Sequence, residues 1–150
     1  KGQAEAIATN MFSIIPLKVP IICVIIGEGG SGGALAIGIG DHITMLEHSV
    51  YSVISPEGCA SILWGDKDKT SQAANALCIT ANDLLKFEVI DEIVREPLGG
   101  AHRNHKQAAI RMKKSLRKNL ERLTQIPLSE LIQLREKKFR EMGKFVEEAH

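Results

Sequence analysis

The residues best suited to chemistry lie in a glycine loop, residues 27–33, in which five of the seven residues are glycine. The loop follows an apolar run, residues 21–26, which predicts a strand buried on both faces, and it precedes small residues that predict a helix start. Backbone N–H groups at a helix start lack intrahelical partners, and the helix dipole makes them partly positive. Glycine also lets a ligand approach the backbone closely. The loop therefore predicts a site for an oxyanion, a phosphate or a polarised carbonyl oxygen.

Two generic motifs also match the glycine loop. Residues 27–32 match G-x-G-x-x-G, the dinucleotide fingerprint, and Glu47 lies near the position of a ribose-binding acid. Gly38 and Gly40 argue against this interpretation, because they predict a helix too short for a dinucleotide-binding unit. The second motif is G-x-S-x-G around Ser31, a nucleophile elbow, which needs an acid and a histidine from elsewhere in the chain. A purely structural turn is a further alternative, although five glycines are costly for packing alone.

Other polar side chains have both a functional and a structural interpretation. Glu57 follows Pro56 in a predicted turn after a strand, where it would line an active site or complement a helix dipole; we favour the dipole. Glu28 lies inside the glycine loop and would oppose a bound anion unless its side chain points away. His102 and Arg103 follow a glycine pair. They would either contact a substrate or partner subunit, or have only a structural role in their own loop.

Three stretches of the chain resemble one enzyme family. They are IGEGGSGGALAIG at residues 26–38, YSVISPEGCASILW at residues 51–64 and EPLGGAHR at residues 96–103. In this order and spacing they resemble the carboxyltransferase α subunit of multi-subunit acetyl-CoA carboxylase, and residues 2–8 resemble its entry helix. The resemblance is close over residues 2–104 and looser beyond. Long literal matches are far more specific than the two short motifs.

The resemblance implies carboxyl transfer from carboxybiotin on a carrier protein to acetyl-CoA, which gives malonyl-CoA for fatty acid biosynthesis. Negative charge develops first on the ureido oxygen of biotin and then on the thioester oxygen, and preorganised N–H donors stabilise such charges. In the family a glycine pair of the α subunit serves the biotin side. Carried over, that pair is Gly32 and Gly33, with Gly29 and Gly30 shaping the loop and Ser31 capping the helix.

The resemblance also implies a multi-subunit assembly. We expect activity only with a carboxyltransferase β subunit, in an α2β2 arrangement, together with the biotin carboxyl carrier protein and a biotin carboxylase that uses ATP. We expect no metal in this chain, no nucleic acid and no membrane, and a location in a bacterial cytoplasm or a plastid stroma. Two alternatives remain open: a non-catalytic assembly fragment that docks partner subunits, and a ClpP-like serine hydrolase that uses Ser31.

Helices and strands alternate through the first hundred residues. The apolar stripe of Gln3 to Ile14 predicts a helix, and short strands are predicted at residues 43–46, 51–54 and 89–94. From residue 105 a long amphipathic helix is predicted to end before Pro127. Ser129 is predicted to cap a last helix that stops at Gly143.

This alternation predicts an α/β fold with a helical C-terminal extension. The family resemblance adds a partial crotonase (ClpP-like) spiral of ββα units. We therefore expect residues 1–104 to be the C-terminal part of a crotonase-like carboxyltransferase domain and residues 105–150 to be a helical extension. Because the sequence starts with Lys1 rather than Met, we expect it to be a fragment.

Composition and charge limit the classes of protein to which this chain can belong. The chain has 150 residues, of which 44% are hydrophobic and 25% charged, as in ordinary globular proteins. Residues 1–100 carry 6 basic and 12 acidic side chains and residues 101–150 carry 13 and 6, so their net charges are −6 and +7. The basic end fits an acidic partner, an anionic cofactor or a solvated helix face, and we favour the last. Three widely spaced cysteines, an odd number, indicate a reducing compartment.

Overall fold

A three-stranded parallel sheet lies at the centre of the computed structural model, which describes residues 2–143. The strands of the described residues are β1 Ile22–Ile25, β2 Glu28–Gly30, β3 His42–Leu46, β4 Val50–Ser52 and β5 Glu92–Val94. Their helices are α1 Gln3–Ile14, α2 Ser31–Ile37, α3 Pro56–Trp64, α4 Thr70–Leu77, α5 Ala81–Lys86, α6 His105–Leu123 and α7 Leu128–Glu141. A short 3-10 helix, Lys67–Lys69, precedes α4.

The central sheet has the strand order β1-β3-β5, and both pairings are parallel. All five residues of β3 are buried, so the middle strand is covered on both faces. Parallel strands need such cover, and here it also buries the polar side chains of His42 and Thr44. Ile43 and Met45 of β3 pack with Ile25 of β1 and with Ile90 in the principal core cluster.

A second, two-stranded sheet holds the glycine loop in place. β2 pairs in parallel with β4, with Gly29 beside Tyr51. The N–H of Val50 donates to the carbonyl of Gly27 at 3.0 Å, and on the other edge of β4 the N–H of Tyr51 donates to the carbonyl of Ile79 at 3.1 Å. The first half of the loop is therefore an ordered strand.

A polar cluster joins α6 to the central sheet. His42 is only 6% exposed, and its Nε2 lies 3.2 Å from Oε2 of Glu92. The same carboxylate oxygen accepts hydrogen bonds from Ser115 Oγ at 2.7 Å and from Asn119 Nδ2 at 2.5 Å. Arg122 Nη2 lies 3.4 Å from Nδ1 of His42. The carboxylate of Glu92 on β5 is thus the shared hydrogen-bond partner that holds one face of α6 against the central sheet.

This cluster makes stability depend on pH. Burial alone would raise the pKa of Glu92, but hydrogen bonds from Ser115, His42 and Asn119 outweigh it and hold the pKa below its ordinary value of 4.5. Since the folded state has the lower pKa, its contribution is present above pH 4.5 and is lost as the pH falls through the folded pKa. We expect Glu92→Gln to lower the free energy of unfolding at neutral pH by about 1–3 kcal/mol.

Urea unfolding at several pH values measures this effect. The difference between the wild type and the Glu92→Gln variant should shrink as the pH falls below 4.5. Glu121→Gln is the matched control, because Glu121 lies on α6, the helix that Glu92 contacts, but is 71% exposed and, among residues 2–143, pairs only with Arg117 at 3.7 Å. A difference that stays constant across this pH range would contradict the assigned role of the Glu92 charge.

The side chain of Arg135 connects α7 to the beginning of the chain. It is fully buried, and its Nε and Nη2 donate to the two carboxylate oxygens of Asp41 at 2.9 and 2.8 Å. Its remaining N–H groups donate to backbone carbonyls at the end of α1 and in the following turn, those of Ile14, Ile15, Leu17 and Val19. Asp41 also accepts from the N–H of Ile21 at 2.7 Å. One arginine therefore holds both the approach to β1 and the turn that precedes β3.

The predicted mixed α/β architecture is present, with local differences at several element boundaries, such as β4, which is Val50–Ser52 rather than residues 51–54. The strand predicted for residues 89–94 is shorter, because only Glu92–Val94 pairs with β3. Ser129 does not cap the last helix: α7 begins one residue earlier, with Pro127 at the N-cap and no side-chain cap bond. Pro127 already sets the chain direction for the helix start, so Ser129 falls inside the first turn. The boundary at residue 104 stays a prediction, and residues 144–150 lie outside the described part.

Candidate functional site

The glycine loop forms a sharp passage from β2 into α2. Gly30 is the N-cap residue and is extended, with φ −127° and ψ 155°. Ser31 follows as the first helical residue and has φ 65°, a left-handed value that is uncommon for a residue with a side chain. The prediction that Ser31 caps the helix is wrong, because the cap position falls on Gly30, which has no side chain to donate or accept.

Gly32 and Gly33 lie in the first turn of α2. Within residues 2–143, their backbone N–H groups form no hydrogen bond outside the helix, as expected for the unpaired donors of a helix start. A Cβ atom added at either position would meet no heavy atom within 4 Å, and neither glycine has the positive φ that a side chain would resist. The fold of the described chain therefore gives no steric or conformational reason for glycine at these two positions.

Gly29 and Gly38 are glycines for a different reason. A Cβ at Gly29 would lie 2.8 Å from Cδ2 of Tyr51, and a Cβ at Gly38 would overlap the hydroxyl oxygen of the same side chain. These two positions are constrained by packing inside the chain. The loop and its helix thus contain glycines of two kinds, those required by a neighbouring ring and those that face open space.

A groove runs beside the loop between β1 and α2. Its volume is about 330 Å³, and it is lined by both glycine-loop backbone and apolar side chains that include Ile26 and Ile37. Ile26 is 72% exposed and Ile37 is 69% exposed. Large apolar side chains so exposed beside a groove are typical of surfaces that contact another molecule.

A larger cavity lies away from the glycine loop. It has a volume of about 420 Å³ and is bounded by α1, α2, β3 and α7, with apolar residues such as Met11, Leu35 and Phe139 in its wall. The guanidinium of Arg135, which reaches its edge, is already bound by Asp41. This cavity holds no set of convergent polar groups from the described residues, so we place the candidate chemistry at the glycine loop instead.

The structure places Glu57 in the first turn of α3. Its side chain is exposed, and the N-cap residue Ser55 accepts a hydrogen bond from the N–H of Gly58 at 3.1 Å. No hydrogen bond or ion pair connects Glu57 to the glycine loop in the described part of the chain. This position is the one where a carboxylate favourably meets the helix dipole.

His102 and Arg103 fold back over their own loop. The ring of His102 lies against Gly100, and the aliphatic part of Arg103 lies against Gly99, so added Cβ atoms would come within 3.0 and 3.2 Å of them. The carboxylate of Glu96 organises this loop by accepting from the N–H of Ala101 at 2.6 Å and from the N–H of His48 at 3.0 Å. The geometry gives these side chains a local structural role.

A catalytic triad around Ser31 is not assembled. Among residues 2–143, the hydroxyl of Ser31 forms no hydrogen bond to a histidine, and His42 is engaged by Glu92 and Arg122. Glu47, the acid of the dinucleotide interpretation, accepts instead from the N–H of Glu96 at 3.0 Å. Within the described residues no cluster of three or more His, Cys, Asp or Glu side chains could hold a metal ion, and none of their helices has the length and apolarity to cross a membrane.

The buried thiol beside the loop is not arranged as a nucleophile. Cys23 is 8% exposed, and burial raises its pKa above the usual range, so the thiolate is disfavoured. Its Sγ donates to the carbonyl of Ile37 at 3.1 Å. The chemistry available at this site therefore comes from backbone donors rather than from a side-chain nucleophile.

Two residues that support the site are not predicted by the sequence patterns. The pattern around Tyr51 indicates only a strand, yet its ring lies against Gly29 and Gly38. Arg135 lies in a predicted helix, between Leu131 and Phe139 at spacings of four residues, on the apolar stripe of α7. An arginine on an apolar stripe is a signal of a buried charge with a partner, and it could have identified this residue.

Comparison with known families gives a clear match. Residues 1–143 match a family model described as acetyl co-enzyme A carboxylase carboxyltransferase-like. The chain is 56% identical over 147 residues to the acetyl-coenzyme A carboxylase carboxyl transferase subunit alpha of Geobacter metallireducens, covering 98% of this chain and 46% of that protein. It is 57% identical over 143 residues to the subunit alpha of Vibrio campbellii, covering 95% and 45%. The chain thus spans a little under half the length of these curated relatives.

Comparison with solved structures supports the fold. The chain is similar to transcarboxylase 12S in a structure with methylmalonyl-coenzyme A and methylmalonic acid bound, with a TM-score of 0.54 and 15% identity over 95% of this chain and 24% of that one. A second structure of the same protein gives a TM-score of 0.54 and 20% identity over 63% of this chain and 21% of that one. The expectation of a crotonase-like α/β fold is confirmed.

Proposed function

This chain belongs to the acetyl-CoA carboxylase carboxyltransferase family, and we propose that it forms the part of an α subunit that binds the biotin side of the transferase site. The reaction moves a carboxyl group from carboxybiotin to acetyl-CoA and gives malonyl-CoA. The observation that carries the proposal is the pair Gly32 and Gly33, whose N–H groups form no hydrogen bond outside α2 among the described residues and whose Cα positions face open space. We infer that the absence of a side chain at these two positions leaves room for a ligand to reach the backbone N–H groups.

The geometry fits a carbonyl oxygen. The two N–H groups belong to successive residues at the positive end of α2, so they can donate to one acceptor. Biotin, when bound, supplies a ureido oxygen that becomes more negative as carbon dioxide leaves. The glycine pair would stabilise that charge without covalent chemistry. Removing one donor of this kind typically raises the activation free energy by about 2.7–4 kcal/mol.

The partners and cofactors follow from the same proposal. A β subunit would supply the donors for the thioester oxygen of acetyl-CoA, in an α2β2 arrangement, and the carrier protein would bring biotin after a biotin carboxylase has used ATP. We place this system in a bacterial cytoplasm or a plastid stroma. The exposed side chains of Ile26 and Ile37 support a partner or a further part of the protein beside the groove, since exposed apolar groups of this size need cover.

Malonyl-CoA decarboxylation with free biotin as acceptor, the reverse reaction, tests the proposal. The chain would be expressed at the full length of its relatives and mixed with a carboxyltransferase β subunit. We expect activity that requires both proteins. A stable complex without activity would favour the non-catalytic docking role, and the absence of both complex and activity would overturn the proposal.

One observation favours a second candidate, a serine hydrolase. Ser31 stands between a strand and a helix with φ 65°, the sharp strand-to-helix turn that a nucleophile elbow requires. We expect Ser31→Ala to retain carboxyl transfer within about threefold, because the proposed donors are backbone groups. Hydrolysis of a thioester or p-nitrophenyl ester is the parallel measurement. Loss of an esterase activity in the variant, with transfer absent from both proteins, would assign the hydrolase instead.

A further inference from the structure

Tyr51 occupies the space beneath the glycine loop. It is the only tyrosine of the chain and is 6% exposed. Its backbone is held on both edges, since β4 pairs with β2 on one side and the N–H of Tyr51 donates to the carbonyl of Ile79 on the other. The ring therefore projects from a fixed point of the backbone.

The ring contacts Gly29 and Gly38, which lie before and after the two residues that carry the proposed donors. On the strand side it lies against Gly29, where an added Cβ would be 2.8 Å from Cδ2. On the helix side its hydroxyl oxygen lies so close to Gly38 that an added Cβ would overlap it. The hydroxyl also makes a long hydrogen bond, 3.4 Å, to the carbonyl of Ala34 in α2. The side chain of Tyr51 thus packs between β2 and the last turn of α2.

Free space lies on either side of the ring, and α1, β2 and β4 are the elements that pack most against α2. Tyr51 lines both the groove beside the glycine loop and the larger apolar cavity bounded by α1 and α7. A helix of seven residues has little stability of its own, so its position depends on the side chains that pack against it. Burial also raises the pKa of Tyr51, so the phenol stays neutral and remains a hydrogen-bond donor.

We propose that Tyr51 is a positioning residue for carboxyl transfer: its ring sets the separation of β2 and α2 and thereby aims the N–H groups of Gly32 and Gly33. This inference rests on the proposed function of the glycine pair. Tyr51 touches no substrate in this scheme. Its effect passes through Gly29 and Gly38, the two glycines whose side-chain space the ring occupies.

A double-mutant cycle between Gly38 and Tyr51 tests the proposal. Gly38→Ala places a methyl group on the phenolic oxygen and should push α2 away from the ring, whereas Tyr51→Phe removes that oxygen. We expect Gly38→Ala to lower kcat of the reconstituted transferase by about 10–100-fold, since ångström displacements of this kind cost up to about that much. The KM for malonyl-CoA should not change, because the proposed thioester site lies on the partner subunit.

The two remaining variants complete the cycle. Tyr51→Phe should keep kcat within about threefold of the wild type, since the lost hydrogen bond is long. The double variant should recover most of the activity lost in Gly38→Ala, which gives a coupling that independent sites do not show. Two neighbours of the new Cβ remain in the double variant, the carbonyl oxygen of Ala34 and Cζ of the ring, both at 3.3 Å, and they require only small adjustments.

Gly40→Ala is the matched control. Its Cβ would lie 2.7 Å from Sγ of Cys23 and 3.0 Å from the carbonyl of Ile21, so it creates a comparable overlap that does not involve Tyr51. Tyr51→Phe should rescue Gly38→Ala and not Gly40→Ala. Thermal unfolding of all variants, with kcat measured well below each midpoint, separates positioning from loss of fold.

The outcomes are distinct. An unchanged kcat in Gly38→Ala, or equal rescue of Gly40→Ala by Tyr51→Phe, would overturn the positioning role while leaving the proposed function intact. A wild-type complex without transferase activity would overturn the proposed function and this role with it. In that case the thermal midpoints of the cycle would still report whether the ring and Gly38 are in contact.

Discussion

Replacing Gly33 with leucine is expected to reduce carboxyl transfer at least 100-fold without weakening the fold. The activity is lost because a side chain at this position would fill the space where the acceptor oxygen must meet the N–H groups, and removal of one such donor costs about 10²–10³-fold in kcat. The fold is retained because an added Cβ meets no heavy atom within 4 Å. Leucine also favours a helix over glycine by about 0.5–1 kcal/mol.

Steady-state kinetics and thermal unfolding of a graded series, Gly33→Ala and Gly33→Leu, measure this prediction. Activity should fall as the side chain grows while the unfolding midpoint stays constant or rises. Gly29→Ala is the matched comparison within the same loop, because its Cβ would lie 2.8 Å from Tyr51 and should lower the midpoint. A fully active Gly33→Leu protein would remove the glycine pair from the proposed mechanism.

Removing Arg135 is expected to destabilise the fold by more than any of the glycine, tyrosine or glutamate substitutions. Arg135→Ala would leave the carboxylate of Asp41, whose side chain is 3% exposed, buried without its cation and would leave several backbone carbonyls of residues 14–19 without donors. Breaking a buried ion pair from one side typically costs about 3–5 kcal/mol. We expect a loss of that size in the free energy of unfolding.

Chemical denaturation of three arginine variants of α7 provides the measurement. Arg140→Ala is the matched control, because Arg140 lies on the same helix, is 82% exposed and, in the part of the chain that the structure describes, pairs only with Glu136, at 4.0 Å. The control should change stability by no more than about 0.5 kcal/mol. Arg135→Lys should recover little, since an ammonium group cannot reproduce the forked contacts to both oxygens of Asp41. Equal effects of Arg135→Ala and Arg140→Ala would contradict the role of the buried pair.

Local patterns in the sequence were sufficient for most helices and strands. The apolar stripe and the proline that follows it define α1, which the structure places at Gln3–Ile14, and the β-branched run before the glycine loop contains β1. Thr80, three residues before Asp83, caps α5, and its Oγ1 accepts from the N–H of Asp83 at 3.4 Å. These features depend on residues within one or two turns of each other, which is the range over which sequence patterns are informative.

Features that depend on distant residues could not be predicted in the same way. Arg135 and Asp41 are 94 residues apart, and neither residue type by itself distinguishes a buried pair from a solvated surface charge. The glycine loop is a second example in which sequence patterns are not sufficient, although the residues involved are closer together in the chain. Nothing in its sequence separates Gly29, which faces the ring of Tyr51, from Gly33, which faces open space. That distinction requires the position of a strand that follows the loop in the chain.

The connection between Arg135 and the start of the chain has a consequence for the order of events during synthesis. The ribosome makes Asp41 and the carbonyl groups after α1 long before it makes their common donor, which follows Asp41 by 94 residues. At about 5–20 residues per second, these acceptors wait roughly 5–20 s. During that time water takes the place of the guanidinium as their hydrogen-bond partner. We therefore expect the synthesis of α7 to complete the contacts around Asp41 and the carbonyl groups after α1.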